Sequence, residues 1–376
     1  MHIEEFKLER LMSVWENRVD YNLTESGIHP YTLKELLSAD EIEALLEVPL
    51  SYGWTNGEPG LRRSVASYYS GASEDNVLIT NGSAEANFLA MWTLLEPGDE
   101  IVLALPNYMQ IWGIARFLGV EIKPWRLREE LGWAPDLDEL ESLLSAKTRL
   151  VVICNPNNPT GAVLKPSEME RVVELAAESG ALVYADEVYR GVELEGPEGP
   201  SFRDLDPNAI VASGLSKALA HPGLRIGWLV GSEEFIAKAW HHSDYTTITT
   251  ARLSEFVAEV ILQPDRRQQI LQRNRRILRR NLRLLQDWIE SCQGVFSLVP
   301  PKAGGMAFLS YNFEVNSTEL CQRLRDEKSL LVLPGDVFGM DGYLRIGIGG
   351  ESDALAHGLQ LLKEATETQR TQRVQE

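Results

Sequence analysis

Between residues 77 and 231 the chain alternates short runs of β-branched and apolar residues with amphipathic stretches. The runs are VLIT (77–80), IVLAL (101–105), VEIKPW (120–125), RLVVIC (149–154), ALVYAD (181–186), AIVAS (209–213) and RIGWLVG (225–231). Runs such as LVVIC show no polar alternation, which is typical of strands covered on both faces by helices. The pattern therefore predicts a large α/β domain with a mostly parallel central sheet in an α/β/α sandwich. Ligands of such sheets bind at the strand ends.

After residue 263 the sequence changes to PDRRQQILQRNRRILRRNLRLLQDWIESC, in which apolar residues recur at helical spacing. This spacing predicts one long amphipathic helix. Its eight arginines between 265 and 283 have two interpretations, a solvated helix face and a face that binds RNA. We favour the solvated face because no aromatic platform accompanies the arginines. From about 295 to 363 the sequence indicates a small α+β domain.

The overall charge narrows the classes of function. The 376 residues include 36 Lys and Arg against 55 Asp and Glu, a formal net charge of −19, which opposes binding to nucleic acid. No run approaches the roughly 18 apolar residues of a membrane span, and the start MHIEEFKLER does not resemble a signal peptide. We therefore expect a cytoplasmic protein without nucleic-acid or membrane partners. The three cysteines are far apart, so we expect no metal site.

Five polar segments follow predicted strands or lie in the small domain. They are ITNGSAEANF (79–88), NPNNPTG (155–161), ADEVYR (185–190), SGLSKALAHPGLRIGW (213–228) and YLRIGIGG (343–350). Each segment alone is a weak signal, since NPNNPTG also reads as a simple turn. In this order they resemble the class I and II aminotransferases, pyridoxal 5′-phosphate enzymes of fold type I. The resemblance covers nearly the whole chain.

The resemblance implies a division of the chain into four parts. Residues 1–45 would complete the small domain and the substrate site, and residues 46–263 would form the large cofactor-binding domain. Residues 264–292 would be an interdomain helix, and residues 293–376 would form the small C-terminal domain.

The resemblance also assigns the residues at the cofactor ring. Lys217 would bind the cofactor aldehyde as a Schiff base, a role that needs a flexible, locally desolvated amine. Asp186 would keep the pyridine nitrogen protonated, although a helix cap or a salt bridge is an alternative. Tyr189 and Asn158 would hydrogen-bond to the ring oxygen. Tyr108 would stack on the ring, with a core tyrosine as the alternative.

The phosphate contacts come from the same resemblance. Gly82, Ser83 and Ala84 lie at a strand end, a glycine turn and a helix start, which together favour an anion. Arg225 would hold the phosphate through a forked contact. Tyr52 would reach the phosphate of a neighbouring subunit, which implies a homodimer with shared active sites.

One position departs from the family pattern. Many relatives have serine three residues before the lysine as a phosphate ligand, and this chain has Gly214 there. Ser213 or Ser216 would replace it, and the sequence leaves both alternatives open.

Three peripheral segments bear on which reaction and substrate the chain uses, NLTESGIHPYTLKELL (22–37), HHSDYTTITTARLSEFVAE (241–259) and PGDVFGMDGYLRIGIGG (334–350). These look similar to the capreomycidine synthase-like guanidino amino acid cyclases. Arg345 would grip the substrate α-carboxylate, and Asn158 and Gly27 would also contact the substrate. Glu25 and Asp244 are the candidate partners of a guanidinium, although both are also readable as solvated loop acids. His29 would transfer protons or only cap a helix.

This resemblance implies a cyclodehydratase that converts a hydroxylated L-arginine into a cyclic guanidino amino acid of the enduracididine or capreomycidine type. The alternative is an ordinary aminotransferase that uses a 2-oxo acid. A transcriptional regulator with an aminotransferase-like sensor domain is a third interpretation. We do not favour it because about 20 residues before the substrate segment are too few for a helix-turn-helix domain.

Overall fold

The computed structural model describes residues 3–373, with side chains through residue 366. The helices in this range are α1 (Lys7–Trp15), α2 (Leu33–Leu36), α3 (Ala39–Leu46), α4 (Pro59–Ala66), α5 (Ser83–Leu94), α6 (Gln110–Leu118), α7 (Leu137–Leu143), α8 (Pro166–Ser179), α9 (Phe202–Leu205), α10 (Glu233–Ser243), α11 (Arg252–Ile261), α12 (Pro264–Ser291), α13 (Ser317–Lys328) and α14 (Ser352–Arg373). The strands are β1 (Tyr21–Asn22), β2 (Val77–Thr80), β3 (Glu100–Leu105), β4 (Glu121–Arg126), β5 (Thr148–Cys154), β6 (Leu182–Asp186), β7 (Ile210–Gly214), β8 (Gly227–Val230), β9 (Phe296–Leu298), β10 (Met306–Tyr311), β11 (Leu330–Leu331), β12 (Leu333–Pro334) and β13 (Tyr343–Gly347).

The largest sheet has seven strands in the order β2-β8-β7-β6-β5-β3-β4. Strand β8 runs antiparallel to its neighbours β2 and β7, and the other adjacent pairs are parallel. Each of the seven strand runs predicted from the sequence overlaps one of these strands, with bounds that differ by at most two residues. The prediction of a mostly parallel central sheet in an α/β fold is therefore confirmed.

Alternate residues of the central strands pack on opposite helix layers. In β5, Val151 and Ile153 pack in the cluster that includes residues of α8, α11 and α12, whereas Leu150 and Val152 pack against α5, α6 and α10. All four side chains are buried. Full burial of each contributes about 1.5–3 kcal/mol. Burial on both faces is the physical reason why this strand shows no polar alternation.

The strand ends place the polar loops side by side. Cys154 pairs with Asp186 at the ends of β5 and β6, and Asp186 pairs with Ala212 of β7. Gly214 at the end of β7 lies opposite Gly227, which in turn lies opposite Thr80 at the end of β2. The loops after β2, β5, β6 and β7 therefore meet at one edge of the sheet, as expected for a ligand site.

The N-terminal segment packs against the second sheet, which has the order β12-β13-β10-β9. The Gly347 N–H donates to the Leu23 carbonyl at 2.7 Å, and the His29 N–H donates to the Gly349 carbonyl at 2.8 Å. A Cβ atom at either glycine would overlap the backbone of residues 25–27. The glycines of YLRIGIGG therefore allow the N-terminal segment to approach Arg345.

Helix α12 confirms the predicted long helix, but the prediction that its arginines form a solvated face is wrong for four of them. Their side chains are partly buried, and their guanidinium groups bond to the N-terminal segment and to the loop after β6. These four are Arg266, which donates to the Leu36 carbonyl, Arg267, which pairs with Glu198 at 2.7 Å, Arg273, which donates to the His29 carbonyl at 2.6 Å, and Arg275, which donates to the Gly191 carbonyl at 2.9 Å. Charged groups recur along this helix, and within residues 3–373 no helix is both long enough and apolar enough to cross a membrane.

Candidate active site

A cavity of about 80 Å³ lies where the strand ends meet the N-terminal helix. Two parts of its lining come from different regions of the chain. We call the first the cofactor floor. Its residues end central strands or lie in the segments that follow them: Ser83, Ala84, Cys154, Asn158, Asp186, Val188, Tyr189 and Lys217. We call the second the α1 roof: Leu8, Glu9 and Met12 of α1. Ser26, Tyr108 and Arg345 complete the lining.

Lys217 lies three residues after the end of β7 and pairs with Glu25 of the N-terminal segment. The distance from Lys217 Nζ to Glu25 Oε1 is 2.8 Å, and the Gly27 N–H donates to the same oxygen at 2.6 Å. The Lys217 cation lowers the pKa of Glu25 to about 2, although burial opposes this shift. Burial also lowers the pKa of Lys217, but the carboxylate of Glu25 outweighs it and the net shift is upward. The pair is therefore fully ionised at neutral pH.

Asp186 ends β6 as a buried carboxyl group. Its Oδ1 accepts from the Val188 N–H at 3.2 Å, and its Oδ2 accepts from Asn87 Nδ2 at 3.3 Å. Tyr184 donates to Asn87 Oδ1 at 2.5 Å, which turns the amide nitrogen of Asn87 toward Asp186. Burial raises the pKa of Asp186 to about 6, and the two neutral donors offset only part of this. A cation placed in the cavity beside Asp186 would stabilise the ionised form.

The N-terminus of α5 and Arg225 form an anion site. Gly82 caps the helix at φ 82° without a side-chain cap, and in the described part of the chain the N–H groups of Ser83 and Ala84 donate to no acceptor. A Cβ atom at Gly82 would overlap the guanidinium of Arg225, and one at Gly227 would overlap the Ser83 backbone. Both glycines therefore allow a guanidinium and free N–H groups to face one anion.

Tyr189 and Asn158, the predicted partners of the ring oxygen, both line the cavity. The Tyr189 hydroxyl donates to Ser26 Oγ at 2.9 Å. Asn158 Oδ1 accepts from Arg345 Nη1 at 2.9 Å, and its Nδ2 donates to no residue in the described range. Burial raises the pKa of Tyr189 to about 12, against the lowering effect of Lys217. Asn158 thus keeps an N–H available for an acceptor in the cavity, and Tyr189 stays protonated with its hydroxyl bonded to Ser26.

Arg345 of β13 is buried, with 1 % of its surface exposed. Its Nη1 donates to Asn158, and its Nη2 donates to the Thr24 carbonyl at 2.5 Å. Its buried Nε has no partner among the described residues. Burial lowers the pKa of Arg345, with Tyr189 and Glu25 opposing. A guanidinium that is buried and incompletely paired favours an anionic group of a ligand.

The α1 roof contacts the rest of the cavity through Tyr108. The Tyr108 hydroxyl donates to Glu9 Oε1 at 2.6 Å, and the ring of Phe6 packs edge-on against Tyr108 with 5.0 Å between centroids. Burial, reinforced by Glu9, raises the pKa of Tyr108. The hydroxyl therefore stays protonated and orients the Glu9 carboxylate.

Several predicted site residues are not brought to this cavity. The side chain of His29 is 45 % exposed and lies 3.9 Å from Glu351, and Asp244 is exposed at the end of α10. Tyr52 is 81 % exposed and does not line the cavity of its own chain. Ser213 donates to the Glu187 carbonyl at 3.2 Å. His29, Asp244, Tyr52 and Ser213 therefore do not line the cavity. Glu25, in contrast, contacts Lys217.

A steric restriction explains why Gly214 stands where many relatives have a serine. A Cβ atom at Gly214 would lie 2.9 Å from the Ile226 carbonyl oxygen, so the strand pairing of β7 with β8 leaves little room for a serine there. Ser213 is engaged by Glu187, whereas the hydroxyl of Ser216 has no hydrogen-bond partner among the described residues. Ser216 is thus the serine that remains available to a phosphate.

Three residues of the site have no counterpart in the sequence predictions. Asn87 is four residues after Ser83, so helical spacing places it on the same face of α5 as the anion site. The sequence therefore contained a signal for Asn87. Ser26 adjoins the predicted Gly27. Glu9 belongs to no segment that carried a functional signal in the sequence, and the structure places it on α1 between the buried Leu8 and Met12.

The arrangement fits pyridoxal 5′-phosphate. The anion site at Gly82 and Arg225 suits the phosphate, and the buried carboxyl of Asp186 suits a protonated pyridine nitrogen. Lys217 lies in the same cavity as Asp186 and provides the amine for the aldehyde.

Comparison with known proteins agrees with this fit. The family model described as aminotransferase class I and II matches residues 33–362. Capreomycidine synthase from Streptomyces vinaceus is 34 % identical over 353 residues, covering 91 % of this chain and 89 % of that protein. An aspartate aminotransferase from Sulfurisphaera tokodaii is 27 % identical over 336 residues, covering 84 % and 81 %.

Solved structures give the same result. A PLP-dependent aminotransferase from Streptococcus suis superimposes with a TM-score of 0.92 at 34 % identity, covering 98 % of this chain and 99 % of that one. The PLP-dependent cyclase OrfR has a TM-score of 0.88 at 26 % identity, with 97 % of each chain covered. The chain therefore belongs to the class I and II aminotransferase family, and it is an enzyme whose cofactor is pyridoxal 5′-phosphate.

Proposed function

We propose that this enzyme is a cyclodehydratase that converts a hydroxylated L-arginine into a cyclic guanidino amino acid. The observation that carries the proposal is the charge of the site. Two carboxyl groups, those of Glu9 and Asp186, line the cavity together with two cations, Lys217 and Arg345. A third carboxylate, that of Glu25, pairs with Lys217. A site with this excess of carboxylates suits an amino acid whose side chain is cationic.

An aspartate or glutamate substrate would need a further cation for its side-chain carboxylate. In the described residues of this chain, the cavity lining contains no arginine or lysine besides Lys217 and Arg345. Lys217 is required at the cofactor, and Arg345 is the group that suits the substrate α-carboxylate. The similarity to capreomycidine synthase and to the cyclase OrfR supports the same substrate class.

Arg345 and Lys217 have separate roles in the proposed reaction. The cofactor, when bound, supplies an electron sink for proton loss at the substrate Cα. Arg345 holds the carboxylate and so orients the Cα–H bond. Lys217 takes the Cα proton on Nζ. For a β-hydroxylated substrate the Cβ–O bond then breaks, and the hydroxyl leaves as water after it gains a proton.

Ring closure completes the balance. A guanidine nitrogen forms a bond to Cβ and loses one proton, and Cα gains one proton. The net change is therefore the loss of one water. A γ-hydroxyl requires an additional proton loss at Cβ. Because nucleophile and acceptor carbon belong to one bound molecule, proximity contributes up to about 7–11 kcal/mol to lowering the barrier.

A direct experiment tests this proposal. We incubate the holoenzyme with β-hydroxyarginine, γ-hydroxyarginine or arginine, omit any 2-oxo acid, and follow products by mass spectrometry. Catalytic loss of one water from a hydroxyarginine is the expected result, with Lys217→Ala protein as the inactive control. Turnover that occurs only when a 2-oxo acid is supplied would contradict the proposal.

That contradictory result would support the second candidate, amino transfer to a 2-oxo acid. The similarity to aspartate aminotransferases favours it, since the same Cα deprotonation begins both reactions. In either reaction Lys217, Asp186 and Arg345 keep the roles given above, and the side-chain contacts decide the outcome.

We also propose that the active enzyme is a homodimer. Leu50, Tyr52 and Trp54 are 86, 81 and 57 % exposed in the single chain, and a second copy would cover them. The exposed Tyr52 would then reach the partner's phosphate site, which light scattering of wild type and cofactor binding by Tyr52→Phe would test.

A further inference from the structure

Glu9 is the one carboxylate of the cavity whose role the proposed function leaves open. It lies on α1 between Leu8 and Met12, whose side chains are buried. All three residues line the cavity. Its Oε1 accepts from the Tyr108 hydroxyl at 2.6 Å. Among the side chains of residues 3–366 no arginine, lysine or histidine lies within ion-pair distance of Glu9, and Tyr108 is its only hydrogen-bond donor.

The other charged groups of the cavity have partners or assigned ligands. Glu25 is paired with Lys217 at 2.8 Å and accepts from the Gly27 N–H. Asp186 lies on the cofactor floor, where the protonated ring nitrogen is its partner. Arg345 has a free, buried Nε that suits the substrate carboxylate. Glu9 alone therefore remains without a positive partner when cofactor and carboxylate are in place.

The position of Glu9 also suits the end of a long side chain. It belongs to the α1 roof, whereas the groups that hold the reacting atoms belong to the cofactor floor and β13. Leu8 and Met12 provide apolar surface for the methylene groups, and the Tyr108 hydroxyl fixes the carboxylate. A carboxylate held in this way can accept two parallel N–H bonds from a guanidinium.

We propose that Glu9 binds the guanidinium of the substrate and is the residue that selects a cationic side chain. Glu25 then serves as the partner of Lys217. This inference rests on the proposed function for the substrate class, but it concerns recognition and not the reaction.

The experiment compares L-arginine with L-citrulline, which has a side chain of the same length without charge. Each is titrated into holoenzyme, and the change in cofactor absorbance reports occupancy whether or not product forms. The variants are Glu9→Gln, which keeps an acceptor for Tyr108 and removes the charge, and Glu5→Gln. Glu5 lies in the same N-terminal segment, is exposed and does not line the cavity, so it is the matched control.

Wild type and Glu5→Gln should bind arginine at least about tenfold more tightly than citrulline. In Glu9→Gln the preference should fall to about one, because arginine binding weakens while citrulline binding is unchanged. Equal weakening of both ligands would show that Glu9 only positions α1 and would overturn the proposal. A preference unchanged by Glu9→Gln, or absent in wild type, would overturn it as well.

The outcome is separable from that of the cyclodehydratase proposal. If the preference depends on Glu9 but hydroxyarginine loses no water, the reaction assignment fails and the recognition role of Glu9 stands. If water is lost while Glu9→Gln keeps its preference for arginine, the role of Glu9 fails and the reaction assignment stands.

Discussion

The cofactor floor and the α1 roof face the same cavity but are held in different ways. The floor comes from the ends of four strands of the central sheet and the segments that follow them, and its polar side chains bond to several different elements, as Asp186 bonds to Asn87 of α5 and Lys217 bonds to Glu25. The roof is one helix that reaches the rest of the lining through the bond between Glu9 and Tyr108. If Glu9 selects the substrate side chain as we propose, we expect from this difference that chemistry and side-chain selection are separable in this enzyme.

The largest expected effect concerns the floor. Lys217→Ala removes the amine that binds the cofactor aldehyde and takes the Cα proton, so turnover should fall about 10⁴-fold or more. The absorbance of the lysine-bound cofactor should disappear, which a visible spectrum measures. Lys34→Ala, at an exposed lysine of α2, is the control and should keep both. An unchanged spectrum in Lys217→Ala would contradict the cofactor assignment.

A smaller effect is expected from Asp186→Asn in protein freed of cofactor. The pKa of Asp186 is raised from 3.8 to about 6 by burial, so the folded state holds the proton more tightly than the unfolded state. The stability from this proton is fully present below pH 3.8 and is lost as the pH rises through about 6, a loss of up to about 3 kcal/mol.

Asp186→Asn cannot ionise and should lack this loss. Urea unfolding of both cofactor-free proteins at pH 4.5 and pH 7 measures the free energy of unfolding, and the other titrating groups cancel in the comparison. Wild type should lose more stability than the variant between these two pH values. An equal change in the free energy of unfolding of both proteins between the two pH values would show that Asp186 is already ionised without a cation beside it.

The smallest effect is expected at the roof. Tyr108→Phe keeps the ring but removes the hydroxyl that orients Glu9, a loss of about 0.5–1.5 kcal/mol. Arginine affinity should fall about threefold to tenfold while cofactor content stays that of wild type. Tyr343→Phe removes a similar bond, from Tyr343 to Glu129 at 2.6 Å, outside the cavity. Loss of cofactor in Tyr108→Phe but not in Tyr343→Phe would mean that floor and roof are not separable.

The sequence predicted the floor more completely than the roof for a physical reason. Asp186 and Lys217 each follow a strand of the central sheet, and parallel strands place their ends together whatever lies between them in the chain. Glu25 was found because its segment resembled that of known cyclases. Glu9 has neither signal, since its place in the cavity depends on how α1 docks onto Tyr108.

The dependence on tertiary contacts also explains why the arginines of α12 were wrongly predicted to form a solvated face. Helical spacing identified which face of α12 is apolar, but it carried no information about the carbonyl groups that meet the opposite face. Arg273 and Arg275 bond to backbone carbonyls at residues 29 and 191, which are distant in sequence. Such contacts become visible only when the tertiary arrangement is known.

Helix α12 also sets a distance within the enzyme. Arg266 bonds to residue 36 near one end of the helix, and Arg279 donates to the Leu194 carbonyl at 2.7 Å, thirteen residues or about 20 Å further along the axis. The points at which the N-terminal segment and the loop after β6 attach along the helix are thus fixed by helical rise and not by flexible connections. A one-residue deletion in α12 would rotate the following arginines by about 100° and release that loop, although no cofactor or substrate contact would have been changed.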